Sequence, residues 1–161
     1  MIILGIDPGI GRTGYAVLEQ TGPPAGEAGK EIVLRACGCI TTKAGEPAPK
    51  RLLEIKQDLE KIISKFKPDA VCIESLFFAA NAKTAMTVGQ ARGVAVVTAA
   101  EHKLKIIEVT PLQVKMSTTG YGKADKKQVQ TMIVKLLKLK KIPKPDDAAD
   151  ACAIAWTGIG R

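Results

Sequence analysis

Residues 3–19, ILGIDPGIGRTGYAVLE, support two competing readings. Gly9, Gly11 and Gly14 match the G-x-G-x-x-G spacing of a dinucleotide-binding turn and follow an apolar run, as that motif requires. In that motif, however, the glycines open a helix whose N-terminus meets the pyrophosphate, and an acid follows about 20 residues later at a strand end. Here the glycines lead into Gly-Tyr-Ala-Val-Leu-Glu at 14–19, which is strand-like. The acids at a suitable distance are misplaced, Glu27 lying in a Gly/Pro-rich stretch and Glu31 at the opening of a strand. The segment predicts a β-hairpin whose glycines form the turn and leave room for a phosphate backbone to approach the sheet. Attention moves to Asp7, the carboxylate that ends the first strand.

Outward from the hairpin, 21–29 is a loop by composition and 31–40 is a third strand. Leu52, Ile55, Leu59, Ile62, Ile63 and Phe66 recur at helical spacing, predicting an amphipathic helix over 51–66 that stops before Pro68. A short strand, 70–73, finishes on Glu74. Residues 82–101 read as a small-residue helix with Gly89 and Gly93 on one face, suited to close packing in the core or against another subunit. A fifth strand spans 104–109, and Thr110-Pro111 caps a following helix. Asp125 and Gln128 stand at capping-box spacing at the start of a helix over 125–138, and the alanine-rich DDAADACAIAWTG forms the last one. Strands joined by short turns pair antiparallel, and strands reached through helices add in parallel. The expected fold class is α/β, a mixed five-stranded sheet with the first three strands an antiparallel meander and helices on both faces, in a single domain over 1–161.

The chain has 161 residues, with 24 Lys and Arg against 16 Asp and Glu, a net charge of +8 and a pI near 9.4. Such a balance favours a polyanionic partner. No run approaches the ~20 apolar residues of a spanning helix, and no basic, apolar and cleavage-site sequence of a signal peptide is visible. The expectation is a soluble cytoplasmic protein with no membrane partner. Cys37, Cys39, Cys72 and Cys152 form no C-x-x-C pair and sit in apolar surroundings, as reduced structural thiols do. The one histidine, His102, reads as a solvated surface residue, which leaves His-rich zinc sites and His-based triads without material.

Carboxylates therefore carry any chemistry. Asp7 and Glu74 end strands that are neighbours if the intervening helix makes the usual right-handed crossover. In the last helix, either Asp147 with Asp150 or Asp146 with Asp150 projects from one face. Acids converging from three parts of the chain repel unless a hard cation lies among them. An all-carboxylate set suits Mg²⁺ or Mn²⁺, and a pair of such ions about 4 Å apart clamps the attacking and leaving oxygens of a phosphodiester. On a basic protein that is nuclease chemistry.

Three stretches, GIDPGIGRTGYAV at 5–17, IESLFFAANAKTAMTVGQARGVA at 73–95 and DAADACAIA at 147–155, occur in an order and spacing that resembles the RuvC-type Holliday-junction resolvases, over nearly the whole chain. The resemblance implies a ribonuclease-H-like fold and a homodimeric endonuclease that nicks two opposed strands of a four-way DNA junction during recombination and repair. It also implies two Mg²⁺ ions per subunit, replaceable by Mn²⁺, and partnership with the branch-migration proteins RuvA and RuvB. Carried over by position, it makes Asp7, Glu74, Asp147 and Asp150 the catalytic, metal-holding acids and leaves Asp146 to capping or local charge. It favours Phe77 over Phe78 as the aromatic that stacks on or wedges between bases, and Lys115 and Lys126 as contacts near the scissile strand. Arg92 and Lys83 are expected on the DNA surface. The chain departs from the family most at the 21–29 loop. Competing readings are a ribonuclease-H-like enzyme acting on RNA and a non-catalytic junction-binding protein. An ATP-using enzyme of the actin and sugar-kinase type would need two lobes, for which this chain is too short.

Overall fold

The computed structural model describes residues 1–22, 31–75, 82–159 and 161. Its elements, in order, are β1 (Ile2–Asp7), β2 (Arg12–Thr21), β3 (Glu31–Thr41), α1 (Ala48–Phe66), β4 (Ala70–Glu74), α2 (Ala82–Glu101), β5 (Lys105–Val109), α3 (Pro111–Thr119), α4 (Lys126–Leu136) and α5 (Asp146–Ile159). The sheet runs β3-β2-β1-β4-β5, with β1–β2 and β2–β3 antiparallel and β1–β4 and β4–β5 parallel. The expected mixed sheet with an antiparallel meander is present. Residues 23–30, most of the Gly/Pro stretch, lie outside the described residues.

Alternation along the strands sorts side chains into two cores. Leu4, Ile6, Val17, Val71 and Ile73 face α1 and α2, meeting Ile55, Leu59, Ile63, Ala91, Ala95 and Ala99. Ile3, Ala16, Leu18 and Cys72 face the other way, against α5 and the buried side of α4 at Val129 and Ile133. The helical period read in 51–66 is borne out, although α1 begins three residues earlier because Pro47 supplies its N-cap and Pro49 fits its first turn. It ends with Lys67 in the left-handed region, its amide bonded to the Ile63 carbonyl (2.8 Å) just before Pro68. The anticipated capping box forms, Asp125 Oδ1 accepting from the Gln128 amide at 2.8 Å, and the expected Thr110 cap is a capping box as well, Thr110 Oγ1 accepting from the Gln113 amide at 3.1 Å.

The turn between β1 and β2 is braced from within. Thr13, buried, donates its hydroxyl to the Gly9 carbonyl (2.7 Å), and Thr42 donates to the Ile10 carbonyl (2.6 Å) while accepting from Arg51 Nε (2.8 Å). Across the sheet α5 lies almost in backbone contact. A Cβ on Gly5 would stand 2.4 Å from the Ala151 carbonyl oxygen, and one on Gly14 would stand 2.0 Å from that of Asp147. Glycine at these positions, with alanine filling α5, is what lets the helix approach so closely. Gly93, in contrast, is open at its Cβ position, with no neighbour there among the described residues. All four cysteines are free; Cys72 and Cys152 are buried as expected, whereas Cys37 and Cys39 are only half-buried because β3 is an edge strand. His102 is exposed.

Gly14→Ala is expected to lose ~2–3 kcal/mol by overpacking as α5 is pushed off the sheet. Gly11→Ala, whose Cβ would meet only a terminal nitrogen of the Arg51 side chain, at 3.3 Å, should lose far less. Urea unfolding midpoints of the two variants make the comparison.

Candidate active site

Asp7 and Glu74 are the last residues of adjacent parallel strands. The β1–β4 pairing runs to Ile6↔Ile73, so the two acids follow as its next step. Asp7 shares its face with Ile3 and Gly5, and Glu74 shares its face with Ala70 and Cys72, so both carboxylates point to the α5 side. Across β1–β2 Asp7 pairs with Gly14, the residue on which the first turn of α5 rests. That contact sets Asp147 beside Asp7, and Asp150 follows one helical turn later.

Asp7, Glu74 and Asp150 line a cavity of about 250 Å³, with Lys115 of α3, Lys126 of α4 and apolar walls from Val114, Val129 and Ile154. Asp147, whose charge is felt at Asp7, lies outside that lining and 3.5 Å from Arg12. Asp150 is engaged at both oxygens: Lys126 Nζ lies 2.7 Å from Oδ2, and Gln130 Nε2 donates to Oδ1 at 3.4 Å. Lys126 and Gln130 are four apart on α4 and so reach across together. A larger cavity of about 460 Å³ opens beside Tyr121 between α3 and α4, but its one acid, Asp125, is committed to capping.

Burial pushes the Asp7 carboxyl up to about 7; the negative charges of Asp150, Glu74 and Asp147 add to this, and Lys126 partly opposes it. Glu74 is raised too, by burial and by Asp150, against the pull of Lys115. The Lys126 ammonium is held charged by its hydrogen bond to Asp150. Among the described residues no three acids, thiols or imidazoles stand close enough to hold one ion together as they are placed. The donor set nevertheless fits a hard divalent cation: it is all oxygen, mutually repelling, and partly neutralised by Lys126 and Arg12.

The acids expected at the site, Asp7, Glu74, Asp147 and Asp150, are thus brought to one place, as are Lys115 and Lys126. Asp146 opens α5 and pairs with Lys144 at 3.4 Å. Arg92 is turned toward the protein, between Glu74 and Glu108. Phe77 and Phe78 lie outside the described residues, and so does the side chain of Lys83, in the first turn of α2. Sequence reasoning passed over Arg12 and Gln130. Arg12 carried a signal, being the only basic residue of the glycine turn; Gln130 carried a weaker one, a polar residue on the apolar side of α4.

This sheet order, with acids ending its two central parallel strands and a helix laying further acids over them, belongs to the ribonuclease-H-like class. Residues 3–158 match the profile of the family described as Crossover junction endodeoxyribonuclease RuvC. The chain belongs to that family. A crossover junction endodeoxyribonuclease RuvC of Natranaerobius thermophilus is 50% identical over 155 residues, 96% of this chain and 92% of the relative. The Thermus thermophilus RuvC structure superposes with a TM-score of 0.87 at 35% identity, over 98% of this chain and 92% of that one. A second T. thermophilus structure, RuvC in complex with Holliday junction substrate, gives 0.87 at 34% identity over the same shares.

A carboxyl whose folded-state pKa lies above its unfolded value leaves stability intact at low pH and costs progressively more as pH rises through the folded value. For Asp7 that window runs from the ordinary aspartate value of 3.8 to about 7. Without divalent cation, Asp7→Asn is expected to raise Tm by about 5 °C at pH 8, and the gain should vanish toward pH 4. Scanning calorimetry across pH checks it.

Proposed function

We propose that this protein is a structure-selective endonuclease that resolves Holliday junctions by symmetric, metal-dependent hydrolysis of two opposed DNA strands. The observation that carries the reading is the shared cavity of Asp7, Glu74 and Asp150 on a chain of net charge +8. The relatives named crossover junction endodeoxyribonuclease, and the relative solved with a Holliday junction, support the substrate.

In this reading Asp7, Glu74, Asp147 and Asp150 hold Mg²⁺, with two ions per subunit and Mn²⁺ able to substitute. When bound, the cations supply Lewis-acid polarisation of the phosphodiester and lower the pKa of a nearby water. Asp150, which is paired with Lys126, and Asp147, which is beside Arg12, would hold a cation in place of those positive charges. The freed Lys126, with Lys115 across the cavity, meets the negative charge of the scissile phosphate and of the transition state. The apolar walls limit competing water. Phe77 and Lys83 complete the DNA surface.

Paired cuts need two sites, which a homodimer provides. The outward side of α2 supports that arrangement, because Met86 and Val97 are 75% and 54% exposed and Gly93 between them is open to close approach. RuvA and RuvB are the expected partners. No described helix is long and apolar enough to cross a membrane, and we place the activity in the cytoplasm, as one nuclease domain.

Purified protein should nick a synthetic mobile four-way junction with Mg²⁺ or Mn²⁺ and not with EDTA, and should leave duplex DNA and RNA largely uncut. Asp7→Asn should keep junction binding while cleavage falls by at least ~10²-fold. Wild-type cleavage rates in that variant would sink the assignment.

A further inference from the structure

Arg92 has a different task from the DNA contact its charge suggests. From α2 its Nε donates to the backbone carbonyl of Glu74 at 3.3 Å, and its other end pairs with the Glu108 carboxylate on β5. The side chain is only 21% exposed. Glu74 is the last residue of β4, paired with Val109, and a strand end is where a ladder opens most easily. The next residue is tied down as well: both the amide (2.8 Å) and the hydroxyl (3.1 Å) of Ser75 donate to the Val109 carbonyl. The peptide after Glu74 is therefore gripped on its carbonyl side from α2 and on its amide side from β5.

We propose that Arg92 is a positioning residue for Glu74. By bridging the Glu74 carbonyl and Glu108 it braces the strand end from α2 and so aims the Glu74 carboxylate into the cavity it shares with Asp7 and Asp150. The inference rests on the nuclease reading of that cavity. Arginine suits the task because its planar fork presents donors in two fixed directions, whereas a lysine ammonium is a single flexible point. A carboxylate that works on a reacting phosphate has to be held to within about half an ångström, which needs a support of this kind behind it. A phosphate contact would instead turn the guanidinium toward solvent, whereas among the described residues it is bonded to the Glu74 carbonyl and the Glu108 carboxylate.

The test uses the intact protein with Arg92→Met, Arg92→Lys and Glu108→Gln. Three quantities are read: Mn²⁺-induced thermal stabilisation without DNA, junction affinity at two salt concentrations, and single-turnover cleavage. Arg92→Met is expected to weaken the Mn²⁺ response and slow cleavage, each by ~10–100-fold, with junction affinity and its salt dependence near wild type. Arg92→Lys should recover little of this, and Glu108→Gln should show a smaller loss in the same direction. A wild-type Mn²⁺ response in Arg92→Met overturns the proposal, as does full rescue by lysine. So does a fall in junction affinity with the salt slope reduced by about one, the mark of a lost phosphate contact. If Arg92→Met does not fold, Arg92→Lys decides by the same measures. Wild-type protein that binds junctions but never cuts them would refute the nuclease reading instead, leaving Arg92 to be judged on the DNA-free Mn²⁺ response.

Discussion

Everything at the site depends on how closely α5 can lie on β1 and β2. A helix normally packs on a sheet about 10 Å away, with side chains between them. Here the missing side chains of Gly5 and Gly14 bring the Ala151 and Asp147 carbonyls down to the strands. Since Asp7 is paired with Gly14, the same contact that seats the helix brings its first acid next to the strand acid. The alanines of α5 then carry two duties, filling the core and keeping the approach short.

That proximity has an electrostatic cost. Four carboxylates are gathered at one end of the sheet, two of them on strands that are hydrogen-bonded neighbours, and Asp7 is held well above the ordinary carboxylate range. Lys126, Arg12 and Lys115 offset part of the repulsion from three separate elements. The arrangement is a strained one of the sort that persists because packing elsewhere overdetermines it. Two cores, one on each face of the sheet, supply that excess.

Much of this was legible from local pattern. Apolar runs located the strands and a period near 3.6 located the helix read over 51–66, because each buried face repeats within a single element, while caps and small-residue composition marked the other helices. The Thr110 cap and the Asp125 capping box were readable for the same reason, since each signal lies within four residues. Spacing left Asp146 and Asp147 as alternatives; the family resemblance favoured Asp147, and the structure pairs Asp146 with Lys144. What stayed hidden joins distant segments: Arg12 with Asp147, Gln130 with Asp150, Arg92 with the carbonyl of Glu74. No periodicity links residues that meet only through tertiary packing. A basic side chain on a basic protein therefore reads as a nucleic-acid contact until its partner is seen.

The capped helices have a consequence for how DNA is gripped. A helix N-terminus can bind phosphate through free amides, but in α3 and α4, which present Lys115 and Lys126, an amide of the first turn is already taken by Thr110 and by Asp125. In the proposed reading, Lys115 and Lys126 draw the sugar-phosphate chain as ammonium charges, whose strength comes from releasing condensed counterions. Such a hold would be indifferent to base sequence, would let the protein glide along duplex arms, and would fade steeply as ionic strength rises.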